Sequence, residues 1–210
     1  MSNAQQLLAE VRRLPLVAIL RGLAPAEAPA VGLALYAAGF RTLEVPLNRP
    51  GAFACIESLV QALPADALVG GGTMLTVADV DAVQAAGGRL MVSPNCNAEV
   101  IHHAAKLGML CAPGVATPSE AFAALQAGAH ALKLFPAEMV GHGGLKALKS
   151  VLPPGTECWP VGGITPQSMA AWVQAGATGF GIGSQLYAPG LAADAVLERA
   201  QAFVAAWRAA

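Results

Sequence analysis

Charge is scarce in this chain. Only 12% of its 210 residues are Asp, Glu, Lys or Arg, about half the usual share. The charges nearly cancel, leaving a formal net charge of −1. No basic field is available to hold nucleic acid, and no run of like charge marks a tail or a membrane patch. Uninterrupted apolar runs are also missing. None reaches transmembrane length without Gly, Pro or charge. The opening stretch, MSNAQQLLAEVRRLP, has no apolar core of signal-peptide length and reads as a short amphipathic helix. Cysteine is sparse: Cys55, Cys96, Cys111 and Cys158 stand far apart with no CxxC. They read as reduced, small hydrophobes in a cytoplasmic protein.

Metal and nucleotide motifs are absent too. The chain contains no HxH, HExxH or Cys/His ligand spacing. His102 and His103 are adjacent on a predicted helix, so their side chains diverge. His130 precedes a strand, and His142 lies at a helix start. GAFACI and GHGGLK lack the spacing of a P-loop.

What is present is an apolar interior and a repeat. Hydrophobic residues make up 55% of the chain, and with so little charge, part of the outside is expected to be covered by copies of the chain itself. Helix-like segments stop at Gly39, Gly87, Gly108, Gly128 and Gly176, each followed by an apolar, strand-like run. Glycine after a helix supplies the left-handed closing residue. At Pro64 and at Pro153-Pro154, proline ends the helix instead. The strands are predicted at 16–21, 42–47, 68–73, 90–94, 109–113, 131–135, 158–162 and 179–183. The helices are predicted at 25–38, 51–63, 77–86, 97–107, 118–127, 143–152, 166–175 and 191–207. Eight strand–helix units imply a parallel sheet covered on both faces. The expected fold class is α/β, a single (β/α)8 barrel over residues 1–210 with a short N-terminal helix. A doubly wound open sheet is the alternative.

In such a barrel, chemistry sits at the C-terminal ends of the strands. Side chains alternate along a strand. If Leu132 and Leu134 face the helices, then Ala131, Lys133 and Phe135 face the interior. By the same parity Glu44 points inward between Leu43 and Val45, and Arg21 shares the side of Ile19. Thr73 follows three glycines. One Lys, one Glu, one Arg and one Thr therefore converge on one mouth. Each also has a plain structural reading. Lys133 and Glu44 suit a buried ion pair that only holds the barrel. Arg21 suits a surface loop, and Thr73 a helix cap. Two glycine-rich loops follow the last two strands, Gly162-Gly163 and Gly181-x-Gly183-Ser184. Such loops let backbone approach an anion, at the usual phosphate seat of this fold. Tight turns alone would also need these glycines.

The segments ILRG, LEVPLN, VGGGTM, VSPN, LKLFPAE, VGGITP and GIGSQLY, in that order, resemble the bacterial 2-keto-3-deoxy-6-phosphogluconate and 2-keto-3-deoxy-6-phosphogalactonate aldolases. The resemblance runs from about Leu16 to Ala205. It implies a small (β/α)8 barrel, a homotrimer, and a class I aldolase without metal or other cofactor. Its partners would be a phosphorylated keto-deoxy sugar acid and pyruvate, with no nucleic acid and no membrane. It further implies Lys133 as the Schiff-base lysine and Glu44 as the general acid/base. Arg21, Asn48, Thr73, Pro94 and Phe135 would contact substrate. Gly162, Gly163, Ile164, Gly183 and Ser184 would seat the phosphate. Asn48 stands where the phosphogluconate enzymes usually carry arginine, with Arg49 one place on. PLN looks more like the phosphogalactonate branch.

The resemblance also accounts for the lysine in an apolar strand. A lysine with the ordinary pKa of about 10.4 is neutral only about once in two to three thousand at pH 7. Burial disfavours a charged amine and favours the nucleophile. Two competing classes remain open at this stage: a non-covalent phosphosugar isomerase or epimerase using Glu44 as base, and a phosphosugar-binding protein.

Overall fold

The computed structural model describes residues 3–210. Helix α1 (Asn3–Val11) precedes strand β1 (Leu16–Ile19). There follow α2 (Ala28–Ala38), β2 (Thr42–Pro46), α3 (Ala52–Ala62), β3 (Leu68–Gly72), α4 (Val77–Ala85), β4 (Leu90–Val92) and α5 (Ala98–Lys106). The next elements are β5 (Leu110–Ala112), β6 (Gly114–Val115), α6 (Pro118–Gln126), β7 (Ala131–Leu134) and α7 (Ala137–Val151). The last are β8 (Glu157–Pro160), α8 (Met169–Ala175), β9 (Phe180–Ile182) and α9 (Ala193–Ala209).

The strands are parallel and run in two arcs, β5-β4-β3-β2-β1-β9 and β6-β7-β8. Both seams between the arcs are closed. Strands β5 and β6 are halves of one stave interrupted at Pro113, which has no N–H to give to a ladder. The Pro113 carbonyl accepts from Lys133 N at 2.9 Å, and Cys111 O accepts from His130 N at 2.9 Å. On the other side, Val161 bridges Gly181. Eight staves therefore form a ring, a (β/α)8 barrel rather than an open sheet.

The alternation of side chains divides the interior into two cores. Val17, Leu68, Leu90, Val92, Leu110, Ala112, Ala131 and Trp159 fill the barrel, and Val11 of α1 joins them from below. Leu16, Ala18, Leu43, Val45, Leu132 and Leu134 belong to the layer shared with the helices. Helix α1 is also tied down by an ion pair, with Arg12 Nε donating to Glu157 Oε1 at 2.7 Å. Helix ends follow the predicted chemistry. Gly39 and Gly176 close α2 and α8 in the left-handed region, at φ 110° and 108°.

Several predicted boundaries move. The strands expected to reach residues 21, 73 and 135 end at Ile19, Gly72 and Leu134, so Arg21, Thr73 and Phe135 sit on the loops just above them. The helix expected at 143–152 starts at Ala137 and is interrupted at Gly141, whose φ of 66° and ψ of 170° are not helical. The three glycines of VGHGG hide that first turn in the sequence. The helix expected at 166–175 opens as a 3-10 turn over Pro166–Ser168. Thr165 caps it reciprocally. Ser168 N donates to Thr165 Oγ1 at 3.2 Å, and Thr165 N donates to Ser168 Oγ at 3.0 Å.

Candidate active site

Strands β2 and β7 each bring one charged side chain into the barrel. Lys133 Nζ lies 3.9 Å from Glu44 Oε1, and the two side chains are only 9% and 3% exposed. The pair sits over a floor of Val17, Val92, Ala112 and Trp159 in a small cavity of about 10 Å³, room for about one water. The indole Nε1 of Trp159 has no hydrogen-bond partner among the described residues. Burial pushes the Glu44 carboxyl above its ordinary range, while the charges of Lys133 and Arg21 pull it back. Lys133 Nζ also lies 5.2 Å from the centroid of the Phe135 ring. Space for Glu44 comes from β3, because a Cβ at Gly72 would overlap its carboxylate.

Above the pair opens a mouth of about 780 Å³, the size of a small-molecule site. Its walls include Arg21, Arg49, Phe135, Gly162, Gly163, Ile164, Gly183 and Ser184. Val161 and Gly181 border both the mouth and the cavity around Lys133. Arg21, Phe135 and all five predicted phosphate-seat residues are thus brought together. Among the described residues, neither the N–H of Gly163 nor that of Ser184 is occupied by a hydrogen bond within the chain. Because the helix behind the loop opens as a short 3-10 turn, the loop amides themselves are the donors on offer.

Three predicted contacts are not among the residues lining the mouth. Asn48 is exposed in the turn after β2 and does not line the mouth, where Arg49 and Pro50 stand instead. Thr73 and Pro94 cap β3 and β4, half-buried and outside the mouth lining. Thr73 has φ 55°, a left-handed conformation unusual for a β-branched residue. Strain of this kind costs about 1–3 kcal/mol and gathers at functional sites. Thr73 makes no helix cap: Thr76 caps α4.

Three residues of this region were given no role by sequence reasoning. Glu138, in the first turn of α7, packs its carboxylate where Cβ atoms at Gly162 and Gly163 would need to be. Those glycines have φ of 123° and 59°, so they are required by neighbour and by backbone alike. Trp159 was hidden in a short apolar run, and Tyr187 ended a motif read for its glycines and Ser184.

The histidines stay outside the site. His103 Nε2 pairs with Asp81 Oδ1 at 2.6 Å, His130 Nδ1 accepts from Cys111 N at 3.1 Å, and the His142 ring lies 4.2 Å from that of Trp172. Among the described residues, no group of three or more His, Cys, Asp or Glu is arranged to hold a metal ion. No helix among them is long and apolar enough to cross a membrane.

A buried amine beside a buried carboxyl, beneath a mouth with anion-binding loops, suits imine chemistry on a phosphorylated oxo acid. Comparison with known proteins points the same way. Residues 7–202 match the family model for KDPG and KHG aldolase. The chain is 49% identical over 195 residues to the probable 2-dehydro-3-deoxy-6-phosphogalactonate aldolase of Rhizobium meliloti (strain 1021), covering 93% of this chain and 92% of that protein. It is 46% identical over 198 residues to the 2-dehydro-3-deoxy-6-phosphogalactonate aldolase of Escherichia coli (strain K12), covering 94% and 97%. The native KDPGal structure superposes with a TM-score of 0.92 at 46% identity, over 94% of this chain and 96% of that one. The KDPG aldolase of Legionella pneumophila, with pyruvate captured at low pH as a covalent carbinolamine, superposes with a TM-score of 0.83 at 28% identity, over 97% and 98%. The chain belongs to the KDPG and KHG aldolase family.

Proposed function

We propose that the chain is a class I aldolase that cleaves 2-dehydro-3-deoxy-6-phosphogalactonate to pyruvate and D-glyceraldehyde 3-phosphate. The observation that carries this reading is the Lys133–Glu44 pair, 3.9 Å apart and almost fully buried beneath the mouth. Substrate choice follows the two near full-length relatives named for that substrate.

The free amine of Lys133 attacks the C2 ketone to give a carbinolamine, which loses water to become an iminium. The iminium nitrogen is the electron sink. Glu44 takes the proton from the C4 hydroxyl, the C3–C4 bond breaks, and its electron pair enters the enamine. Glyceraldehyde 3-phosphate leaves as the aldehyde. Protonation at C3 gives the pyruvate iminium, and hydrolysis frees pyruvate and Lys133. A buried carboxyl with a raised pKa suits repeated proton transfer near neutral pH. The amides of Gly163 and Ser184 hold the phosphate, and Arg21 adds charge at the same mouth. Anchoring the remote end of the sugar acid fixes the reacting carbons against Lys133.

Residues 3–210 work as one domain in this reading, with α1 serving as the floor of the barrel. The working form is a homotrimer. Leu33, Phe53, Leu75, Phe122, Met139 and Val151 are large apolar side chains left exposed, and the chain carries little charge to solvate them. Four free cysteines, three of them buried, fit a reducing cytoplasm.

The test is borohydride reduction in the presence of pyruvate, followed by intact mass. Wild type gains a pyruvyl adduct and Lys133→Ala gains none, while circular dichroism shows both folded. An adduct of undiminished yield on the alanine variant sinks the assignment.

A further inference from the structure

Two loops form one wall of the mouth: residues 20–27 after β1 and residues 183–192 after β9. They approach each other closely at Gly22 and at Glu27. At Gly22, φ is 78° and an added Cβ would lie 3.0 Å from Pro189 Cγ. Farther along, the Tyr187 hydroxyl donates to Glu27 Oε2 at 3.2 Å. Each end of that bond is anchored in its own loop. The N–H groups of Leu186 and Tyr187 both donate to Gly183 O, at 2.8 and 3.0 Å, so Tyr187 belongs to the turn that presents Ser184. Glu27 occupies the N-cap position of α2 without a side-chain cap bond of its own, which leaves its carboxylate for Tyr187, and Cys55 Sγ donates to the carbonyl of Leu23 at 3.1 Å. The Tyr187 ring is 3% exposed and lines the mouth. Burial and the Glu27 carboxylate push its hydroxyl up to about 12, so it remains a proton donor in this bond throughout the neutral range.

We propose that Tyr187 and Glu27 form a positioning pair that fixes the Gly183–Ser184 turn relative to Arg21, and with it the affinity for the terminal phosphate. The proposal rests on the reading of the Gly163 and Ser184 loops as a phosphate seat. The pair forms no bond with substrate and moves no proton. Its hydroxyl–carboxylate bond crosses the gap between loops that backbone hydrogen bonds leave unjoined. Without that bond the Ser184 turn would be free to drift from Arg21, and a dianion held from both sides would lose one of them.

Three variants separate the possibilities. Tyr187→Phe keeps the ring and removes the donor. Glu27→Ala removes the acceptor. Glu27→Gln keeps an acceptor and serves as the conservative rescue. The readouts are the Kd of inorganic phosphate by 31P NMR titration, the KM of the phosphorylated substrate, and the rate of borohydride trapping with pyruvate. Tyr187→Phe and Glu27→Ala should weaken phosphate and raise KM about fivefold to tenfold. Glu27→Gln should shift them about twofold or less, and trapping with pyruvate should stay within about twofold of wild type in all three. An unchanged phosphate Kd in Tyr187→Phe overturns the proposal, and so does trapping that falls by the same factor as phosphate affinity. Wild type that binds no phosphate overturns it too. Wild type that binds phosphate but forms no pyruvate adduct defeats the aldolase reading instead, and the pair is then judged on the phosphate titration alone.

Discussion

The carboxylate of Glu44 fills the space that a side chain at position 72 would need: a Cβ placed on Gly72 overlaps it. Position 72 is therefore glycine for the sake of the neighbouring strand's acid. Gly72→Ala should push Glu44 away from Lys133 while leaving the lysine accessible. Turnover should drop on the order of a hundredfold, since displacement of about 1 Å carries that cost. Borohydride trapping with pyruvate should persist. Steady-state kinetics beside intact mass check this, and near-normal turnover would show that Glu44 has slack to move.

Glu44 should also shape the acidic limb of the pH profile. Its carboxyl is raised above the ordinary value of 4.5 by burial, against the opposing charges of Lys133 and Arg21. It must be ionised to take the C4 proton, so kcat should fall as pH drops through this raised pKa. The limb should therefore lie above pH 4.5. Glu44→Gln should lose most turnover, and its residual rate should lack that limb. A limb that persists unchanged in the glutamine variant belongs to another group.

Much of this arrangement was legible before the structure. The strand parity that sets Leu132 and Leu134 against the helices puts Lys133 inside, and the five glycine stops mark the βα period. What stayed hidden depends on loops and on neighbours distant in sequence. Asn48 and Arg49 follow the last residue of β2, where alternation no longer dictates direction. Thr73 adopts φ 55°, a conformation no propensity favours. Gly162 and Gly163 read as anion approach or tight turns, and Gly72 only as one of three glycines before Thr73, yet each borders a carboxylate, Glu138 or Glu44. Such requirements come from tertiary packing, and a local sequence window does not contain them.

At the opposite end of the barrel, Arg12 of the segment after α1 pairs with Glu157, whose side chain is 9% exposed. Removing the guanidinium leaves that carboxylate buried and short of a donor. Arg12→Ala should lower stability by about 1–2 kcal/mol, at the lower end of the range because Arg12 is itself 54% exposed and its charge is screened by solvent. Kinetic constants should be unaffected, since the pair lies at the bottom and the mouth at the top. Urea unfolding with parallel activity assays reads both. A loss of activity without a loss of stability would contradict the placement of chemistry at one end only.

At residues 48 and 49 the expectation from the sequence and the geometry diverge. A short neutral amide at Asn48 suggests selectivity for the galacto configuration at C4. In the structure Arg49, not Asn48, lines the mouth, together with the loops read as the phosphate seat. A cation there attracts a substrate carrying both a carboxylate and a phosphate, at a distance and in partial solvent. Arg49→Ala should therefore raise KM for both C4 epimers about fivefold, with a smaller effect at high salt. Asn48→Ala should shift KM less than about twofold. The ratio of kcat/KM between the epimers should respond more to position 49 than to position 48. Assaying the galacto and gluco epimers side by side in wild type, Asn48→Ala, Asn48→Arg and Arg49→Ala decides the matter. If only the two variants at position 48 change the epimer ratio, the amide reaches the reacting carbons when substrate is bound, and the assignment to Arg49 fails.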